Sequence, residues 1–237
     1  MLPDPRGPST SEHSAEAVLR IWEQGRREHP VDRALTTLSV LSGRSRRELA
    51  ELPVEERDRQ LLARRAALFG PTLAAAAACA SCGCLVDVTV RAGDTAPGAA
   101  RVHVALDGAA AVEVRMPTSV DLAAIAGCAD IDAARAALLR RLIDVEEPSE
   151  ALLLAAEQEL DRRAGVSGGL VEVACPDCGA LWSVELDVAA FLWRELEIQA
   201  GRLLRDVDVL ARRYGWSERD ILALAPDRRR FYLELAS

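Results

Sequence analysis

Six cysteines stand at positions 79, 82, 84, 128, 175 and 178, and four of them fall in two C-x-x-C-G turns. The first is Cys79-Ala80-Ser81-Cys82-Gly83; the second is Cys175-Pro176-Asp177-Cys178-Gly179. Two residues between thiols let both sulfurs converge on one ion, and the following glycine permits a tight turn whose amides point at sulfur. Two such knuckles supply four thiolates, the donor set of a closed tetrahedral zinc site. A closed site leaves no position for water or substrate, so its role is structural. The spacing therefore selects Cys79, Cys82, Cys175 and Cys178 as ligands of a structural zinc. Free reduced thiols and a disulfide or redox pair are the competing readings. The redox reading lacks the strand–CxxC–helix context, because a strand pattern follows both motifs. Cys84 could replace Cys82 through C-x-C or C-x4-C spacing. Cys128, next to Gly127 between two helical patterns, reads as a buried, inert thiol.

The two knuckles form an internal repeat. Residues 79–88 align with 175–184, with both Cys, the Gly, the Leu and the Val in register. Ala180 is then the counterpart of Cys84, which reads as a strand residue. More than ninety residues separate the knuckles, whereas a compact zinc ribbon allows roughly 15–20. The middle segment is therefore expected as an insertion between two alike hairpins.

The elements that must position the cysteines follow from periodicity. Residues 1–14, rich in Pro, Ser, Gly and charge, read as a disordered tail. Helical patterns cover 15–27 and 31–41, and Ser45 with Glu48 forms a capping box. A longer helix follows Pro53 and stops at Phe69-Gly70-Pro71. Residues 85–90, 102–106 and 111–116 alternate as strands, the last two around an Asp107-Gly108 turn. Helical patterns return at 119–126, 131–143 and 149–164, with Ser149 as a cap. Strands are expected at 170–174 and 180–186. Asp187 then opens the longest helix, whose stripe Leu192, Leu196, Leu203, Val207 and Leu210 keeps a helical period. Two short helices, 217–224 and 226–235, end the sequence. The fold class is α+β: a zinc-ribbon-like pair of CxxCG β-hairpins with helical N-terminal, inserted and C-terminal segments. One body is expected over 15–237. Its parts are 15–69 helical, 70–92 first knuckle, 93–165 insertion, 166–187 second knuckle and 188–237 C-terminal helices.

Composition narrows the function classes. The chain has 237 residues, half of them hydrophobic, and a net charge of −8. Every one of its 29 basic residues is Arg. Without lysine there is no Walker phosphate loop, Schiff base or lysine general base. The acidic balance and few aromatics argue against nucleic acid. No apolar run is long enough to cross a membrane, and the protein is expected in the cytoplasm. His13, His29 and His103 sit in no catalytic pattern, and paired acids such as Glu55-Glu56 and Glu146-Glu147 read as helix-end charges. Recurrent Arg pairs read as solvated helix faces or protein contacts. The aromatics of Tyr214-Gly215-Trp216 and Phe231-Tyr232 read as a local core or a docking patch. The expectation is a protein that is not an enzyme and has no small-molecule substrate. An enzyme site within 93–165 and a zinc-ribbon adaptor for proteins or nucleic acid are the alternatives.

One series of motifs carries a family resemblance. In order it is Leu52-Pro53, Glu56-Arg57-Asp58, Leu61-Leu62, Phe69-Gly70-Pro71-x-Leu73 and Cys79-x-x-Cys82-Gly83. Next come Arg115-Met116-Pro117-Thr118-Ser119-x-Asp121-Leu122 and Cys175-x-x-Cys178-Gly179. Tyr214-Gly215-Trp216-Ser217-Glu218-x-x-Ile221-Leu222-x-Leu224 closes the series. Over about residues 30–236 this order resembles the T-even-phage-type baseplate proteins and baseplate hub assembly chaperones of contractile phage tails and bacterial contractile injection systems. The resemblance implies a non-enzymatic role in building or capping a baseplate, with hub, spike or wedge proteins as partners.

Overall fold

The computed structural model describes residues 12–91, 99–105, 111–166 and 170–236. The chain forms two compact units, Arg44–Ala189 and a second that joins Met1–Gly43 to Ala190–Ser237. Periodicity along the sequence groups 15–237 in one body. The division arises because helices near the two ends of the sequence share a unit, a pairing without a local sequence signal.

The helical unit contains α1 (Glu12–Gly25), α2 (Pro30–Ser42), most of α8 (Val188–Tyr214), α9 (Glu218–Leu222) and α10 (Pro226–Ala236). Residues 12–14, expected in the tail, belong to α1; the rest of that expected tail lies outside the described residues. Gly43, at φ +72°, ends α2 in the left-handed conformation that favours glycine. Ser217 caps α9 by accepting from the Asp220 amide. Four leucines of the α8 stripe, Leu192, Leu196, Leu203 and Leu210, are buried, as are Ile21, Leu38 and Ile221. Packing is close at Gly25, where an added Cβ would lie 2.6 Å from Trp193. Arg33 stacks over that indole at 4.8 Å from its centroid, and its Nε donates to the Gly25 carbonyl at 3.0 Å.

The second unit begins with α3 (Arg46–Ala50) and α4 (Val54–Phe69). The Ser45–Glu48 capping box is formed. Buried Arg65 holds the turn after α4, donating to the carbonyls of Gly70 at 2.8 Å and Thr72 at 2.7 Å. Among the described residues, three two-stranded antiparallel sheets follow. The first pairs β1 (Thr72–Ala78) with β2 (Leu85–Arg91), in register Leu73↔Val90 through Ala78↔Leu85. The second pairs β3 (Arg101–Val104) with β4 (Val112–Arg115); the expected Asp107-Gly108 turn lies outside the described residues. The third pairs β5 (Leu170–Ala174) with β6 (Leu181–Glu185).

Between the first and third hairpins lie β3, β4, α5 (Ser119–Ile125), α6 (Ile131–Leu142) and α7 (Glu150–Val166). Asp130 caps α6, and Ser149 accepts from the Leu152 amide at the start of α7. This middle segment has its own core: Val102, Val104 and Val114 pack with Met116, Leu139, Leu142, Ile143 and Leu152. Among the described residues, no helix is long and apolar enough to cross a membrane.

Candidate metal centre

Each knuckle is built by the same backbone bonds. In the first, the Cys79 amide donates to the Cys84 carbonyl at 2.8 Å and the Gly83 amide donates to the Cys79 carbonyl at 2.8 Å. In the second, Cys175 donates to Ala180 at 2.9 Å and Gly179 to Cys175 at 3.0 Å. Gly83 at φ +75° and Gly179 at φ +72° take the left-handed conformation that closes each turn. The antiparallel hairpins β1–β2 and β5–β6 carry these turns at their tips.

The four cysteines selected by spacing meet. Their Sγ atoms all lie within 4.8 Å of one another. Cys79 lies 3.7 Å from Cys178, and Cys82 lies 3.6 Å from Cys175. The first thiol of each knuckle thus faces the second thiol of the other, as an approximate two-fold relation between the repeats requires. Four sulfurs about 2.3 Å from a central zinc would be about 3.8 Å apart along a tetrahedron edge, so the donor set fits a metal ion. The separations are far beyond the roughly 2.05 Å of a disulfide. Cys79 and Cys175 are buried while Cys82 and Cys178 are exposed, so the cluster is half-buried.

Backbone amides support negative charge on the sulfurs, against the proton sharing among them. The Cys178 amide, opposed by burial and aided by the Asp177 amide, brings the Cys175 thiol down to about 7. At Cys82 the Cys84 amide acts downward, yet hydrogen bonding with Cys175 and Cys178 prevails and pushes the thiol up to about 12. At Cys178 the Ala180 amide acts downward, and hydrogen bonding with Cys175 leads the opposing contributions that raise it. A divalent cation would replace those shared protons, and binding would release them.

The other sequence candidates separate from this centre. Cys84 lies outside the four-sulfur group, and its thiol meets the Leu85 carbonyl at 3.5 Å. Asp177 beside it pushes this thiol up to about 11. Cys128 is exposed, not buried; it follows α5 in a turn whose residues 126–130 are all exposed. His29 accepts from the Val31 amide at the start of α2, and His103 is exposed.

A second polar cluster went unseen in the sequence beyond its motif. Asp121 closes a capping box with Thr118 at the start of α5, and its side chain is 1% exposed. Oδ1 accepts from Arg115 at 2.7 Å and Arg141 at 3.1 Å; Oδ2 accepts from the Thr118 amide and hydroxyl at 3.0 and 2.9 Å, and from Arg115. Burial acts to raise its pKa, but the Arg115 and Thr118 hydrogen bonds together hold it well below the usual carboxylate range. With both oxygens engaged, this carboxylate works as a structural anchor. Nearby, Arg57 donates to Ser119 at 3.0 Å, Val54 donates to the Pro117 carbonyl at 2.8 Å, and Pro53 bridges Thr118. The signal available in the sequence was the Thr118-x-x-Asp121 spacing of a helix start.

No protein-family model, no curated protein and no solved structure matches this chain. What the fold and site define is a mixed α+β protein with small antiparallel hairpins and a four-cysteine cluster able to ligate a metal ion.

Proposed function

We propose that this chain is a zinc-stapled, non-enzymatic component or assembly chaperone of the baseplate of a contractile, phage-tail-like particle. The carrying observation is the meeting of two CxxCG knuckles in one four-sulfur cluster; the baseplate part of the reading rests on the order of motifs along the sequence. Cys79, Cys82, Cys175 and Cys178 would hold the zinc as a zinc-ribbon-like pair of hairpins. The ion would supply cross-linking: it ties two hairpins whose nearest thiols are 93 positions apart. Structural zinc can contribute on the order of 10 kcal/mol to folding in apparent terms.

A second observation supports the family reading. Leu52-Pro53, Arg57 and the Arg115–Asp121 motif are distant in sequence, yet Pro53, Val54 and Arg57 meet Pro117, Thr118 and Ser119. The motifs of the resemblance thus include one packed arrangement. Hub, spike or wedge proteins are the proposed partners, bound by protein–protein contact in the cytoplasm during assembly.

The test is deletion of the gene in its source strain, followed by electron microscopy of induced particles. Loss of baseplates, restored by the wild-type gene, is expected. Intact contractile particles in the deletion strain, or the absence of sheath, tube and spike genes from that genome, would overturn the proposal.

A further inference from the structure

Beside the core of the middle segment lies a cavity of 290 Å³. Its apolar wall is formed by Val54, Met116, Pro117, Leu138, Leu142 and Leu160. Met116 and Leu142 belong to the hydrophobic core itself, so the cavity floor is core surface. Its polar lining is Glu55, Glu157, Asp161 and Arg135. Arg135 forms an ion pair with Glu157 and lies 4.0 Å from Asp161. Three carboxylates against one guanidinium leave the lining net negative.

We infer that this cavity is a docking site for a partner segment in which an aliphatic anchor residue is flanked by basic side chains. The volume falls at the small end of ligand sites, which suits one or two side chains better than a large cofactor. An apolar pocket takes the anchor, and the acidic lining selects the flanking charge and disfavours an acidic segment. The inference goes beyond the baseplate reading and does not need it, because it is read on the purified chain alone.

Met116 gives a local reporter. The chain has two methionines, Met1 and Met116, so methyl-13C labelling places one NMR signal in the cavity wall. The probe is an acetylated, amidated tetrapeptide with two leucines between two arginines. Controls replace the leucines by alanines or the arginines by glutamates. The arginine–leucine peptide is expected to shift the Met116 signal, with binding at least about tenfold tighter than either control. Leu138→Trp, which fills the cavity, should abolish the shift. The paired change Glu55→Gln with Asp161→Asn should weaken binding while leaving circular dichroism unchanged. If Leu138→Trp fails to fold, the three peptides on the wild-type chain still decide.

An unmoved Met116 signal at about 1 mM peptide, or equal shifts from the glutamate control, overturns the inference. So does a shift produced by hexylammonium alone, which would assign the cavity to a free small ligand. A Met116 signal that moves with protein concentration alone would assign it to self-association, with the same consequence.

Discussion

The sulfurs of Cys82 and Cys175 lie 3.6 Å apart although 93 positions separate them in the chain. This pairing, matched by Cys79 with Cys178 at 3.7 Å, sets Cys82 rather than Cys84 in the cluster. Metal analysis of the purified protein should give one zinc per chain. Cys84→Ser should keep it, while Cys82→Ser and the double change Cys175→Ser with Cys178→Ser should lose it. Retention by Cys82→Ser with loss by Cys84→Ser would reverse the assignment. Acidification should release the ion, because protons compete for each thiolate.

The knuckle glycines are conformational, not steric. An added Cβ at Gly83 or Gly179 would meet nothing within 4 Å, but both residues sit at positive φ. Gly83→Ala and Gly179→Ala should each cost about 1 kcal/mol of stability, through backbone strain. Their near-equal environments predict near-equal effects, measurable as matched drops in denaturation midpoint. A loss confined to one site would argue against equivalent knuckles.

The site was legible because its signal is local: two thiols, two spacers and a glycine, written twice. The first strand of the repeat was less so. Thr72–Ala78 carries five consecutive alanines, which favour helix and erase the alternation by which strands are read. The structure makes it β1 because cross-strand pairing to Leu85–Arg91 overrides propensity. The repeat held the missing clue, since the second copy has a readable strand, Leu170–Ala174, before its knuckle. Residue type alone favours burial of Cys128, whereas its turn leaves it exposed.

Arginine was the least legible residue. The pair Arg64-Arg65 and the triplet Arg228-Arg229-Arg230 read as solvated faces or protein contacts, yet Arg65 and Arg229 are buried. Arg65 meets carbonyls of the turn after its own helix, and Arg229 lies 3.4 Å from Asp206. Such side chains are placed by partners that helical periodicity does not reveal. The division into two units has the same origin: no local pattern announces that α1 will pack against α9.

Asp121 makes stability depend on acid pH. Its folded pKa lies below the ordinary carboxylate value of about 3.9. Its contribution is therefore full above that ordinary value and is lost as pH falls toward the folded one. Unfolding free energy should decline below about pH 4 in wild type, and Asp121→Asn should lack that part of the decline. At neutral pH, Asp121→Ala should cost about 1–2 kcal/mol, because it removes the buried acceptor that caps α5 and bonds Thr118 and Arg115, while Arg115 and Arg141 are exposed enough to be resolvated. An unchanged acid limb in Asp121→Asn would refute the assignment.

Gly25 tests the helical unit separately. It lies at the end of α1 against the Trp193 ring, where a Cβ would come within 2.6 Å of one ring carbon and 2.9 Å of another. The indole is held from its other contacts too, with Arg33 stacked upon it and bonded to the Gly25 carbonyl. A ring so placed cannot retreat without giving up the cation–π contact. Gly25→Ala should therefore destabilise by about 1–3 kcal/mol, as overpacking does, although alanine suits helices better than glycine. The double variant Gly25→Ala with Trp193→Leu should recover part of the loss relative to Trp193→Leu alone, giving a positive coupling in a mutant cycle. If Gly25→Ala instead raises the denaturation midpoint, helix propensity outweighs the contact and the close approach of Gly25 to Trp193 is wrong.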